Sequence, residues 1–251
     1  MLDLSQVYDQ GFYSGHLEGS LSSAKVILGL LFDFYHPKSV IDIGCGYGAW
    51  LAVAKSLGSI TLRGLDGDWI GEDNLIDSSI EFTSVNFERD IEIQQRFDLC
   101  LCLEVAEHIS EGQAGAFVNL LCRVSDVIVF SAAVKGQGGT NHINEQWPSY
   151  WIERFRSGGY ECFDIFRGRI WNDERVVWWY RQNVLLFVNT QVLGSLFDPG
   201  DLRDLERKVF DMVHPAHYEC RSKEYRNTLE APTLRSCIRM FGRYLLKKIK
   251  E

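Results

Sequence analysis

The chain has 251 residues, a formal net charge of −8 at pH 7 and 46% hydrophobic residues. That length and apolar content suit one sizeable α/β domain with an appended lobe and exclude a largely disordered chain. With 26 basic residues against 34 acidic ones, the chain lacks the cationic surplus by which a non-specific nucleic-acid binder neutralises phosphates.

In chain order, residues 20–35 read as an amphipathic helix ending before Pro37. SVIDIG (39–44) is a first strand and 49–57 a helix. SITLRGLD (59–66) and EFTSVNF (81–87) are the second and third strands, and 88–96 is a polar helix or turn. FDLCLCL (97–103) is a fourth strand, 112–123 a helix and DVIVFSA (126–132) a fifth strand. Residues 146–157 are helical, ECFDIF (161–166) is a strand, 167–182 an insert rich in Arg and Trp, and NVLLFVN (183–189) the last strand. Apolar runs alternating with helices predict a parallel sheet covered on both faces. Its ligands bind beyond the carboxyl ends of the strands, where strand order reverses. Residues 1–194 form this domain, including a covering N-terminal helix, and 195–251 form a helical C-terminal extension.

Cysteines stand at 45, 100, 102, 122, 162, 220 and 237. An odd, irregular set is no disulfide framework, so buried thiols and a reducing cytoplasm are expected. Period two puts Cys100 and Cys102 on one strand face. MLDLSQVYDQ has neither the basic nor the apolar segment of a secretory signal, and no apolar stretch reaches membrane-spanning length.

The first strand runs into Asp42-Ile43-Gly44-Cys45-Gly46-Tyr47-Gly48. Glycines there let the chain turn sharply and a ligand approach the backbone. The pattern also reads as G-x-G-x-x-A (Gly44, Gly46, Ala49), which permits a dinucleotide fold. Asp42, which repels phosphate and attracts ammonium, and the lack of a second nucleotide-binding half disfavour a nicotinamide-dependent oxidoreductase. Asp66 ends the second strand where an acid would receive ribose hydroxyls. Asn86 and Phe87 end the third, an amide and a ring suited to adenine. A cationic amino acid, a ribose and an adenine together make S-adenosylmethionine.

DIGCGYG, Asp66 and the LEVAEH segment resemble the class I S-adenosylmethionine-dependent methyltransferases over roughly residues 38–190. The resemblance implies a Rossmann-like, doubly wound, seven-stranded and mostly parallel sheet with flanking helices. It implies that Asp42, Gly44, Cys45 and Gly46 cradle the methionine part, that Asp66 and Gly67 hold the ribose, that Asn86 and Phe87 meet adenine, and that Leu103 lines the site. Asn86 stands where the family often has Asp.

Glu104, Glu107 and His108 follow the fourth strand. On a helical turn their spacing of i, i+3 and i+4 gives them one face. Two carboxylates and an imidazole so close call for a compensating divalent cation, and His142 in GGTNHINEQWPSYW can join them from the next loop. The set also resembles the metal site of small-RNA 2′-O-methyltransferases and ubiquinone-type O-methyltransferases. A cation would lower the pKa of an acceptor hydroxyl, and the mixed nitrogen and oxygen ligands suit manganese, iron or magnesium. Without a metal, His108 or His142 becomes the general base, with Glu104 the third catalytic candidate.

For the acceptor, Trp147, Tyr150, Trp151, Trp171, Trp178, Trp179 and Tyr180 read as core or as a stacking wall for a sugar. Arg167, Arg169, Arg175 and Arg181 either clamp an anionic acceptor or pair with neighbouring acids such as Asp173 and Glu174. Tyr13, His16 and Ser23 lie on the covering helix. NHINEQWPSYW and WWYRQNVLLFV resemble methyltransferases encoded among bacterial surface-polysaccharide genes, which implies a sugar, a sugar phosphate or another capsule precursor as acceptor. A non-catalytic S-adenosylmethionine-binding regulatory module is the alternative. The tail TLRSCIRMFGRYLLKKIKE (233–251) reads as a basic amphipathic helix packed on the domain, with contact to an anionic membrane surface as a minority reading.

Overall fold

In this computed structural model, residues 10–89, 91–197 and 211–230 are described. The seven apolar runs become β1 (Ser39–Ile43), β2 (Thr61–Asp66), β3 (Glu81–Ser84), β4 (Leu99–Leu103), β5 (Val127–Ser131), β6 (Tyr160–Phe163) and β7 (Leu185–Asn189). They form one sheet in the order β3-β2-β1-β4-β5-β7-β6. Pairs from β3 to β5 are parallel, and β7 runs antiparallel to both β5 and β6.

Period two decides how the central strands are covered. In β4, Leu99, Leu101 and Leu103 face one apolar cluster, while Cys100 and Cys102 face the other. The first cluster receives α1 (Gln10–Phe32), through Ala24, Leu28 and Leu31, and α2 (Ala49–Ser56), through Trp50 and Leu51. The second receives α3 (Ala114–Val124), through Phe117 and Leu121, and α4 (Pro148–Ser157), through Trp151 and Phe155. The sheet is thus covered on both faces, as its apolar strands require. The six described cysteines carry no disulfide, and Cys100 and Cys102 are fully buried.

Of the helix or turn expected over 88–96, a turn is present among the described residues, the Arg89 amide donating to the Asn86 carbonyl at 3.0 Å. Two elements differ from the sequence expectation. The covering helix is already formed at Gln10 rather than from 20. The insert before the last strand folds into two short helices, α5 (Arg167–Ile170) and α6 (Trp178–Asn183). Beyond β7 come α7 (Leu193–Leu196) and α8 (Pro215–Glu230), and contacts divide the chain into units Met1–Met212 and Val213–Glu251. The basic tail 233–251 lies outside the described residues. No described helix is long and apolar enough to cross a membrane.

β1 lies between β2 and β4. The chain winds outward through β2 and β3, then returns to β4 on the other side. Strand order reverses there, and a cavity of about 890 Å³ opens at the carboxyl ends of these strands.

Candidate functional site

The glycine loop after β1 forms one wall. Gly44 has φ 85°, and a Cβ there would lie 2.2 Å from Val105 Cγ2. Only glycine suits that conformation and that approach. Gly44, Cys45 and Gly46 line the cavity together with Asp42. Asp42 is 2% exposed, and its Oδ2 has no hydrogen-bond partner. Burial, with Asp66 beside it, holds its carboxyl well above the usual carboxylate range. A buried acceptor left without a donor is costly, and a cationic ligand would relieve it.

Asp66 is better satisfied. Its Oδ2 accepts from the Gly46 amide at 2.8 Å, and its Oδ1 accepts from the Gly67 amide at 2.7 Å and Trp69 Nε1 at 3.1 Å. Burial raises its pKa, and these donors pull it back. Gly67 serves through that amide and does not itself line the cavity, whereas Asp68 and Trp69 do. Beyond β3, Asn86 and Phe87 line the wall. Asn86 Oδ1 accepts from the Glu88 amide at 3.0 Å, and the Phe87 ring stands edge-on to Phe117, 5.9 Å between centroids.

Leu103 lines the cavity at the end of β4. The next residue breaks the expected helical spacing, because Glu104 has φ 57°. Its amide donates to the Ser131 carbonyl at 3.0 Å and to Ser131 Oγ at 3.1 Å. A side chain other than glycine held in that region is strained and must be fixed by its surroundings. A 3₁₀ turn (Ala106–His108) follows. Glu104, Glu107 and His108 therefore do not share one helical face. The Glu104 carboxylate accepts from Asn183 Nδ2 and from Gln137 Nε2, both at 3.1 Å. Gln182 joins the same amide network by donating to Gln137 Oε1 at 3.1 Å.

Glu107, His108 and His142 come together, with ligand-type atoms within 4.8 Å of one another, and Glu104 is not in that group. His142 is brought in by backbone: the amides of Ile143 and Asn144 donate to the Glu107 carbonyl at 3.0 and 2.9 Å. The two imidazoles stand edge-on with centroids 5.0 Å apart. His108 Nδ1 faces the Asn141 carbonyl at 3.2 Å, and His142 Nδ1 faces Glu145 Oε1 at 3.0 Å. Both contacts call for the proton on Nδ1, which assigns a lone pair to each Nε2. Burial, with His142 alongside, lowers the His108 pKa to about 4. Glu107 is fully buried, and neither carboxylate oxygen completes a hydrogen bond. Burial and the Glu104 charge hold its carboxyl well above the usual range, an effect the nearby backbone amides offset only in part. A buried carboxylate without a donor beside two imidazole lone pairs is a donor set that suits a divalent cation.

The remaining wall comes from His16 and Leu17 of α1 and from Trp178, Trp179 and Tyr180 of α6. The other aromatics are elsewhere: Trp151 is 2% exposed in the core, and Tyr150 carries the Arg154 guanidinium 3.4 Å from its ring centre. Ser23 packs, donating to the Gly19 carbonyl and accepting from the Val177 amide. The arginines of the insert do not line the cavity. Arg167 is buried in an ion pair with Asp164, and Arg175 pairs with Asp173. Arg167 and Arg175 thus follow the alternative in which the guanidinium pairs with a neighbouring acid.

Sequence reasoning missed Glu145, Gln137 and Asn183. Glu145 accepts from the Gly136 and Gly138 amides at 2.8 and 2.6 Å as well as from His142. The spacing His142-x-x-Glu145 was the only available signal.

No protein-family model matches the chain, and no curated protein matches it in sequence. Solved structures share the fold. The chain assigned as a methyltransferase in the complex with the Trm112 methyltransferase activator of Haloferax volcanii superposes with a TM-score of 0.56 at 15% identity, over 74% of this chain and 97% of that one. An O-methyltransferase family protein from Burkholderia thailandensis gives 0.52 at 14% identity, over 71% and 58%. Magnesium protoporphyrin IX methyltransferase from Synechocystis PCC 6803, solved with bound SAH, gives 0.51 at 15% identity, over 76% and 89%. The sheet order and these likenesses establish the Rossmann-like methyltransferase fold.

Proposed function

We propose that the protein is an S-adenosylmethionine-dependent O-methyltransferase acting on a small polar acceptor, with a divalent cation assisting. The observation that carries this reading is the buried Glu107 carboxylate, unpartnered at both oxygens, beside His108 and His142, in the same cavity as the Asp42 carboxylate, whose Oδ2 has no partner. Asp42 would receive the donor's ammonium group, Gly44, Cys45 and Gly46 would pass its methionine part, Asp66 its ribose, and Asn86 and Phe87 its adenine. Glu107, His108 and His142 would hold the cation, which would supply acidity to an acceptor hydroxyl. Glu104, fixed by two amides, would set the electrostatics behind them. The cavity lies toward the upper end of the roughly 300–1,000 Å³ usual for small-molecule sites, which allows donor and acceptor together.

The metal-free alternative makes His108 or His142 the general base. The His108 pKa of about 4 argues against His108 in that role, because an effective base titrates near the working pH. A sugar, a sugar phosphate or another precursor of a surface polysaccharide is the acceptor class suggested by the sequence resemblance.

Calorimetry with S-adenosylmethionine tests the donor half. Micromolar binding that weakens about 100-fold in Asp42→Asn is expected, and preference for a nicotinamide dinucleotide would sink the reading. Label transfer with and without manganese tests the rest. Full turnover after complete chelation would remove the cation, and tight donor binding without any turnover would favour a regulatory module.

A further inference from the structure

The charges around the cavity are lopsided. Among the described residues its lining holds Asp42, Asp66, Asp68, Glu88, Glu104 and Glu107 against a single arginine, Arg89. Arg167 and Arg175 of the insert are turned to Asp164 and Asp173, and Arg181, next in sequence to the aromatic wall, is not among the residues that line the cavity. A donor bearing one ammonium, one sulfonium and one carboxylate brings a net charge of one, and a divalent cation brings two. Together with Arg89 they still do not balance the carboxylates. The acidic cluster is also aimed at a ligand, since the fully buried Glu107 lines the cavity without a hydrogen-bond partner.

The rest of the lining suits a neutral molecule with an apolar face. Trp179 stands 6.0 Å from His16 and 5.6 Å from Trp178, ring centre to ring centre. All three line the cavity, and so do the neutral polar groups of Gln137, Thr140 and Asn141. An indole offers a broad apolar surface to the C–H face of a saturated ring, and amides and a hydroxyl can serve its hydroxyls without demanding charge.

We infer that the acceptor is a ring-shaped polyhydroxyl compound without an anionic group, packed against Trp179, and that phosphorylated and nucleotide-linked sugars are rejected. The inference rests on the methyl-transfer reading and narrows its acceptor. Like-charge placement is a common source of such rejection.

The test uses the full chain, manganese and methyl-labelled donor with three acceptor pools: uncharged monosaccharides and methyl glycosides, 2-amino sugars, and sugar phosphates with nucleotide diphosphate sugars. Products are separated by anion exchange. Label is expected in unretained products from the first two pools, with kcat/KM at least about tenfold above that of any phosphorylated counterpart. Label chiefly in retained, anionic products would overturn the inference. Label in no pool, with calorimetric donor binding intact, would overturn the transfer reading and the inference with it. Trp179→Ala should raise KM for the labelled acceptor about tenfold and leave donor affinity within about twofold. Trp179→Phe should recover most of that loss, and it also serves if the alanine variant fails to fold. An unchanged KM in both variants would overturn the stacking role.

Discussion

His142 turns Nε2 toward Glu107 Oε1, 3.9 Å away, and holds Nδ1 against Glu145 Oε1 at 3.0 Å. The imidazole is thus oriented by one carboxylate and presented to another. That is the arrangement by which a ligating histidine is fixed in ring plane and tautomer.

Glu145→Gln should weaken manganese binding about 10- to 100-fold, as removal of a carboxylate behind a ligating histidine does. Titration followed by electron paramagnetic resonance measures it. Because Glu145 also anchors the Gly136 and Gly138 amides, a thermal melt run alongside separates loop loosening from loss of affinity. Unchanged manganese affinity would remove Glu145 from the site.

Glu107→Gln should stabilise the metal-free protein at pH 7. Burial and Glu104 raise the Glu107 carboxyl above its usual range. Above about pH 4.3 the folded state therefore binds a proton that the unfolded state has lost, and its stability falls as pH rises. The glutamine removes that penalty, worth about 1–3 kcal/mol, and the gap should close below about pH 4. Urea unfolding at pH 4 and pH 7 provides the comparison. Manganese should reverse the order of stability at pH 7, since only the carboxylate form gains a ligand.

His108 supplies the opposite slope. Its folded pKa is lowered to about 4, while an unfolded imidazole takes up its proton near 6.5. Stability from this group is present above about pH 6.5 and is lost as pH falls toward about 4. In chelated protein the pH profile of His108→Gln should be flatter than the parent's over that interval, by about 2–3 kcal/mol at pH 4.5. Superposable profiles would show that His108 is not buried as described.

Gly44→Ala should cost about 1–3 kcal/mol and lower the melting temperature by several degrees. Two causes act there, the φ of 85° and the approach of Val105. Adding Val105→Ala should relieve the steric part of the damage and leave the conformational part. Simple additivity of the two losses would show that the side chains do not meet.

The cavity wall formed by the loops after β1 to β3 was legible because its residues are local. Asp42, near the end of β1, and the glycines of the loop after it are close in sequence, Asp66 ends β2, and Asn86 lies two residues beyond β3, after strands whose apolar runs are plain. The meeting of Glu107, His108 and His142 could be anticipated from parallel β4 and β5 opening on one edge. The helical spacing assumed for Glu104 could not be checked, because a left-handed backbone at a glutamate has no composition signal. The roles of Gln137, Asn183 and Glu145 depend on three loops closing together, so no window of sequence contains them. Arg167 and Arg175 could be read as available to a ligand, since their pairing with Asp164 and Asp173 is settled only by how α5 and the turn before α6 fold.

The cavity draws on two stretches of chain with little mixing. Most of the surface assigned to the nucleoside comes from before residue 90, and nearly all of the surface assigned to the incoming oxygen comes from residue 103 onward, with His16 the main exception. On the proposed reading this division makes the scaffold modular: a different second half on the same first half should change the acceptor and keep the donor wall, and the stretch between Arg89 and β4 is the place to split the chain for complementation of the two pieces.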